Sequence, residues 1–182
     1  EKNFITTTAK AIREEIEKLS IPLTNLKILF SAHGIPKKFV KDGDPYKNHV
    51  NQTVNAIVDE LSIAHLDYVA CYQSRVGPVE WLKPYTDTVI LEAANKEKTI
   101  MVVPVAFVSE HSETLVELEI EYRKLALENG ASGYIRIPTV GAKKDFIKGL
   151  AEMVKKAGNQ TGGVTNLGGE LCDRSCVACP LL

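Results

Sequence analysis

The sequence predicts an α/β fold, a Rossmann-like lobe with a parallel sheet of about four strands and helices on both faces. Three observations predict it. Short apolar runs without strict alternation, as buried parallel strands show, recur along the chain. Each run is followed by a stretch in which apolar residues return every three or four positions, the period of an amphipathic helix. The resulting order is one helix followed by four strand–helix units, and right-handed crossovers turn such an order into a parallel sheet covered on both sides.

The elements follow in order. Ala9, Ile12, Ile16 and Leu19 predict an amphipathic helix over 6–19. The run 26–32 reads as the first strand. Asp44-Pro45 breaks the chain and opens a helix over 46–62, with Val50, Val54, Ile57, Val58 and Leu61 inward. Residues 67–72 read as the second strand, Gly77-Pro78 as a turn and 85–96 as a helix with an irregular start. The clearest strand is 99–105. A long helix over 113–128 stops at Asn129-Gly130, a good C-terminal signal. Residues 134–137, set between Ser132-Gly133 and Pro138, form the fourth strand, and 143–157 the last helix. The lobe therefore spans 1–157, a glycine-rich linker 158–169, and a cysteine-rich tail 170–182.

Composition narrows the functional classes. A chain of 182 residues can build one domain with a real core. Hydrophobic residues at 45% and charged residues at 25% are ordinary for a soluble globular protein, and a net charge of −1 gives no sign of a nucleic-acid partner. No apolar run approaches the roughly 20 residues that span a bilayer. The start Glu1-Lys2-Asn3-Phe4 lacks the apolar centre of a signal peptide and an initiating Met, so the chain is expected to be a piece of a longer protein. Without a secretory signal, the four cysteines imply a reducing compartment, which favours metal ligation over disulfides.

Three predicted strand ends carry unusual polar content: Ser31-Ala32-His33-Gly34, then Gln73-Ser74-Arg75-Val76-Gly77-Pro78 with Trp81, then Ser109-Glu110-His111-Ser112-Glu113. Ligands of open parallel sheets bind outside the carboxyl ends of the strands. His33 and Glu113 placed there could take a proton from a substrate and hold a divalent iron between them. The alternative for His33 is a loop histidine bonded to the backbone. Glu113, Glu117 and Glu121 recur every four residues with Glu110 just ahead, which reads either as a solvated charged face or as a chain of oxygen ligands for a cation. Mutual repulsion among those carboxylates would keep protons available. Trp81, the only tryptophan, is either core or a flat platform for a flat substrate. Cys172, Cys176 and Cys179 suit an iron–sulfur cluster or zinc, either of which needs a fourth ligand, and the remaining Cys71 sits inside a predicted strand as core.

Taken together, Leu29-Phe30-Ser31-Ala32-His33-Gly34-Ile35-Pro36, Gly43-Asp44-Pro45-Tyr46, the Gln73–Trp81 block and Val103-Pro104-Val105-Ala106-Phe107 leading into Ser109-Glu110-His111-Ser112-Glu113-Thr114-Leu115 resemble the ferrochelatase family, over about residues 5–157. The resemblance implies a lyase of two similar lobes that inserts ferrous iron into protoporphyrin IX in haem biosynthesis, with this chain as the carboxyl-terminal lobe and an amino-terminal lobe as its missing partner. It implies that His33 and Glu113 are the iron-site pair, with His33 the acceptor of pyrrole protons. Glu110, His111, Glu117 and Glu121 would form a polar helix face conducting metal or protons. The cysteine trio is similar to the set that holds a [2Fe–2S] cluster in some members, the fourth ligand coming from the missing lobe. A cytoplasmic location, peripheral contact with the inner membrane and self-association fit the same picture. A cobalt or sirohydrochlorin chelatase and a non-enzymatic iron–sulfur module are the alternatives.

Overall fold

The computed structural model describes residues 1–158. Its elements are α1 (Lys2–Lys18), a 3-10 turn (Leu23–Asn25), β1 (Leu26–His33), α2 (Lys37–Lys41), α3 (Tyr46–Leu61), β2 (Tyr68–Gln73), α4 (Thr86–Ala94), β3 (Thr99–Pro104), a π-helix (Glu113–Glu121) continuing into α5 (Tyr122–Glu128), β4 (Gly133–Arg136) and α6 (Lys144–Gly158). The four strands form one sheet in the order β2-β1-β3-β4, with every neighbouring pair parallel. The expected α/β class and four-stranded parallel sheet are therefore present.

Both faces of the sheet are covered, which explains the unbroken apolar runs. Ile28, Phe30 and Ala32 of β1 and Met101 and Val103 of β3 pack with Ile12 of α1 and Val50, Val54 and Ile57 of α3. The intervening Leu29, Ile100 and Val102 face the other way, onto Ile90, Ala93 and Ala94 of α4 and Leu118 and Ala126 of the π-helix and α5. A strand buried on both sides alternates in direction without alternating in polarity. Phe30 is fully buried, and truncating such a ring to alanine costs about 3–5 kcal/mol. α6 lies along α1, where the Phe4 and Phe146 rings meet edge to face at 6.1 Å and Asn3 Nδ2 donates to the Asp145 carbonyl at 2.9 Å.

Several boundaries differ from expectation for identifiable reasons. α1 starts at Lys2 because the Glu1 carboxylate accepts from the N–H groups of Asn3 (2.9 Å) and Phe4 (2.7 Å), an N-cap that periodicity of apolar residues cannot reveal. β2 runs on to Gln73, the register partner of His33. α2 is an additional short helix that follows Pro36. Residues 113–121 are π- rather than α-helical, and the Tyr122 N–H bonds to the Glu117 carbonyl five residues back. α6 runs to Gly158, one residue into the span expected as linker, and the remainder of that linker and the tail with Cys172, Cys176 and Cys179 lie outside the described residues. Among the described residues no helix is long and apolar enough to cross a membrane.

Candidate active site

Parallel pairing places His33, at the end of β1, directly beside Gln73, at the end of β2. The chain leaving β3 passes through 105–112 and enters the π-helix at Glu113 on the same rim. The result is a His33 Nδ1 to Glu113 Oε2 separation of 3.4 Å between side chains that are 40% and 31% exposed. His33 Nδ1 itself is buried and makes no hydrogen bond. Exposure of the imidazole therefore lies away from Nδ1, on the side that carries Nε2. Such a contact, close but not aligned, is common in catalytic pairs without substrate and tightens when substrate binds.

His111 Nδ1 approaches the same Glu113 oxygen at 3.6 Å, so this carboxylate lies between two imidazoles. His111 stacks on Phe107 at 6.1 Å between centroids. The main chain of His33 is held as well, since the Tyr46 hydroxyl donates to its carbonyl oxygen at 2.8 Å. Burial, with a smaller contribution from Asp44, pushes the Tyr46 hydroxyl up to about 12, so it stays a donor across the physiological range.

Gly34 explains how Trp81 reaches this rim. A Cβ on Gly34 would lie 2.9 Å from the Gln73 carbonyl oxygen and 3.2 Å from Trp81 Cε3, so only glycine allows the approach. The Gly34 N–H bonds the Gln73 carbonyl at 2.8 Å, the Leu82 N–H bonds the Ile35 carbonyl at 3.1 Å, and the Trp81 indole N–H bonds the Val76 carbonyl at 2.9 Å. Trp81 is half-buried against the residue that follows His33.

The four remaining polar candidates are distributed differently from one another. Glu117 is an anchor: its carboxylate accepts from the Ser74 N–H (2.8 Å), the Ser74 hydroxyl, the Gln73 amide (3.1 Å) and the Tyr122 hydroxyl (2.8 Å). Glu110 faces β4, bonded to the Thr114 hydroxyl (2.7 Å), the Thr139 N–H (3.0 Å) and Arg136 Nη1 (3.0 and 3.1 Å). Burial alone would raise the Glu110 carboxyl, but these donors outweigh it and hold it below the ordinary carboxylate value. His111 and Glu121 are exposed. The structure thus gathers His33, Glu113, His111 and Trp81 at one rim and ties Glu117 and Glu110 into the scaffold beneath and beside it.

Sequence reading placed Gln73 and Tyr46 in motifs without giving either a role, and missed Glu119 and Arg136. Arg136 Nε reaches Glu119 Oε2 at 2.8 Å while its Nη1 holds Glu110, and Arg123 closes on Glu119 from the other side. An arginine inside a four-residue strand was the available signal for that cluster. Cys71, expected in the core, is buried there, and burial pushes its thiol up to about 12. Its sulfur is enclosed in the core, donating to the Phe30 carbonyl and accepting from the Thr86 hydroxyl.

Among the described residues no three of His, Cys, Asp and Glu are disposed as a metal cage. The His33 Nδ1–Glu113 Oε2 contact is a pair of donors with Nδ1 buried on its inner side. Metal–nitrogen and metal–oxygen bonds of about 2.0–2.2 Å bring two donors to roughly 3–4 Å from each other, and the observed 3.4 Å falls within that interval.

An imidazole and a carboxylate thus meet at the C-terminal rim of a small parallel sheet, beside a glycine and an indole. The Ferrochelatase family profile matches residues 1–158, and the chain belongs to that family. It is 48% identical to "Ferrochelatase" of Pelagibacter ubique over 156 residues, covering 86% of this chain and 44% of that protein. It is 44% identical to "Ferrochelatase" of Caulobacter vibrioides over 181 residues, covering 99% and 52%, and 51% identical to that of Rickettsia felis over 154 residues, covering 85% and 44%. The chain spans about half the length of the curated relatives it matches.

Proposed function

We propose that this chain is the lobe of a ferrochelatase that carries the proton acceptor and the iron-handling carboxylate, and that the whole protein, a lyase, inserts ferrous iron into protoporphyrin IX at the end of haem synthesis. The observation that carries this reading is the 3.4 Å approach of His33 and Glu113 on one exposed rim. Insertion removes two pyrrole protons and strips water from the incoming iron. His33 accepts the two protons one at a time through Nε2, the nitrogen on the accessible side of the ring, and releases the first to solvent before it takes the second. The Glu113 carboxylate beside Nδ1 stabilises the imidazolium that forms. The same carboxylate receives ferrous iron as substrate, with the His111 imidazole 3.6 Å away on its other flank. Trp81 provides a flat face against which the macrocycle stacks.

The remaining parts of the proposal concern what surrounds the lobe. The upstream half of the protein supplies the opposite wall of the porphyrin cleft. Cys172, Cys176 and Cys179 hold a [2Fe–2S] cluster whose fourth ligand comes from outside residues 1–158, since Cys71 is enclosed. The protein works in the cytoplasm with peripheral contact to the membrane that receives its lipophilic product.

The test is His33→Ala in the two-lobed protein. Iron insertion is expected to be lost while porphyrin binding, followed by quenching of Trp81 fluorescence, persists. Normal turnover in that variant would remove His33 from the mechanism. Assaying cobalt with sirohydrochlorin against ferrous iron with protoporphyrin tests the metal and macrocycle, and preference for the former pair would replace this reading.

A further inference from the structure

Gln73 is the one large polar side chain among the most deeply buried of the described residues, at 1% exposure, and the reaction as described makes no use of it. Its position is unusual in touching both halves of the catalytic pair. Its main chain is the register partner of His33, and its carbonyl accepts the Gly34 N–H at 2.8 Å. Its side-chain amide points across to the π-helix, where Nε2 lies 3.4 Å from the Glu113 carbonyl oxygen and 3.1 Å from Glu117 Oε2. At its other end Oε1 accepts from the Ser31 hydroxyl at 2.7 Å, and Ser31 lies 3.0 Å from Thr86 Oγ1.

These contacts fix the orientation of the amide. Reversal would set Oε1 against a carbonyl and an ionised carboxylate, neither of which can donate. The chain thus contains a continuous bracket from the floor of β1 through the Gln73 amide to the backbone of Glu113, with the carbonyl of Gln73 tied to the residue after His33. Ser74, the residue after Gln73, also binds the Glu117 carboxylate through its N–H and hydroxyl, and the Gln73 amide extends that anchorage to Ser31 of β1 and to the backbone of Glu113.

We infer that Gln73 is a positioning residue that sets the distance between His33 and Glu113, an inference that rests on the chelatase reading of the rim. It acts through the backbone of Glu113 and the Glu117 carboxylate and touches no substrate. A displacement of about 1 Å at a catalytic pair can lower turnover by up to about a hundredfold, so even a modest relaxation of the bracket is measurable.

The experiment uses the two-lobed protein with Gln73→Met, which keeps length and volume and removes both ends of the bracket, and Ser31→Ala, which frees only Oε1. Gln73→Met is expected to lower kcat for iron insertion by at least about tenfold with KM for iron and porphyrin within about twofold, and Ser31→Ala to show the same split at about threefold. A merely structural role predicts instead a lower melting temperature with unchanged kcat per folded molecule, and that result overturns the inference. Should Gln73→Met fail to fold, the milder Ser31→Ala decides on the same criterion. If the unsubstituted protein inserts no iron, the chelatase reading fails by itself. The bracket is then judged from a crystal structure of the variant, where Glu113 within about 0.5 Å of its original place relative to His33 refutes it.

Discussion

Arg136→Met tests whether the Glu110–Arg136–Glu119 cluster holds the π-helix to the sheet. Arg136 leaves β4 with a side chain only 10% exposed and places Nε on Glu119 (2.8 Å) and Nη1 on Glu110 (3.0 Å). Burial works against its charge, but the two carboxylates outweigh burial and raise its pKa above the ordinary value. Removing one partner of a fully buried pair costs about 3–5 kcal/mol, and an exposed pair contributes about 0–1 kcal/mol. Glu110 and Glu119 are 34% and 32% exposed and keep other donors, Thr114 and Thr139 for the one and Arg123 for the other. The expected loss is therefore intermediate, about 2 kcal/mol. For a chain of this size that is a fall in melting temperature of about 4–8 °C.

The pH dependence supplies the signature. Glu110 and Glu119 are both held below the ordinary value of 4.5, in each case because hydrogen bonds and nearby cations outweigh the opposing effect of burial. Depressed carboxylates contribute stability that is full above the unfolded-state value and disappears as pH falls through the folded-state value. The difference between Arg136→Met and the parent should therefore be largest near pH 7 and shrink as the pH is lowered below 4.5. Thermal melts followed by circular dichroism across that interval measure it. Arg136→Lys should recover only part of the loss, because one ammonium cannot reproduce a fork that reaches two acids. A fall of less than about 1 °C, or a difference that persists undiminished into acid, would refute the reasoning.

Three further outcomes are expected. Gly34→Ala forces a Cβ to within 2.9 Å of the Gln73 backbone oxygen and should cost about 1–3 kcal/mol in urea unfolding while lowering any activity of the rim, whereas a neutral result would show that β1 and β2 separate freely there. Tyr46→Phe removes the hydrogen bond to the His33 carbonyl (2.8 Å) and should cost about 1 kcal/mol, read as a proportionate shift in the urea midpoint. Cys71 should resist a thiol reagent at pH 8 in the folded chain and react once denaturant is added, because burial pushes its thiol up to about 12; mass mapping that found it modified under native conditions would contradict its placement.

Much of this architecture was legible because buried strands and amphipathic helices write directly into the order of residues. Ile28 and Phe30 face one way and Leu29 the other, so the apolar run 26–32 had to lie between two layers of helix. His33 and Glu113 were legible as a pair because each terminates or follows such a run, and a parallel sheet brings those ends to one rim. The π-helix was not legible. Glu113, Glu117 and Glu121 carry the same four-residue spacing on an α-helix, and nothing in their identity distinguishes i→i+5 from i→i+4 bonding. Spacing also suggested a common role for these acids, but the structure separates them by partner. Glu113 meets imidazoles, Glu117 meets four donors and Glu121 meets solvent. Their separate fates depend on Ser74 and Gln73, which reach Glu117 from β2 and the residue after it, and on Tyr122, five residues along the same helix, which i→i+5 winding brings onto the face of Glu117.

That separation bears on how a metal ion could move across this rim. A carboxylate that conducts a cation must exchange one ligand for another at little cost. Glu117, already satisfied by four donors, would have to release Ser74, Gln73 and Tyr122 before it could coordinate, and each bond released from a half-buried carboxylate costs about 1.5–3 kcal/mol. Glu110 is committed in the same way to Arg136, Thr114 and the Thr139 N–H. Glu113 carries no such commitment: its nearest polar neighbours are two imidazole nitrogens at 3.4 and 3.6 Å, neither fixed by a formed hydrogen bond to it. Among the acids that face other groups of the rim, Glu113 is therefore the one whose carboxylate is not tied into the scaffold by hydrogen bonds, whereas Glu121 meets solvent.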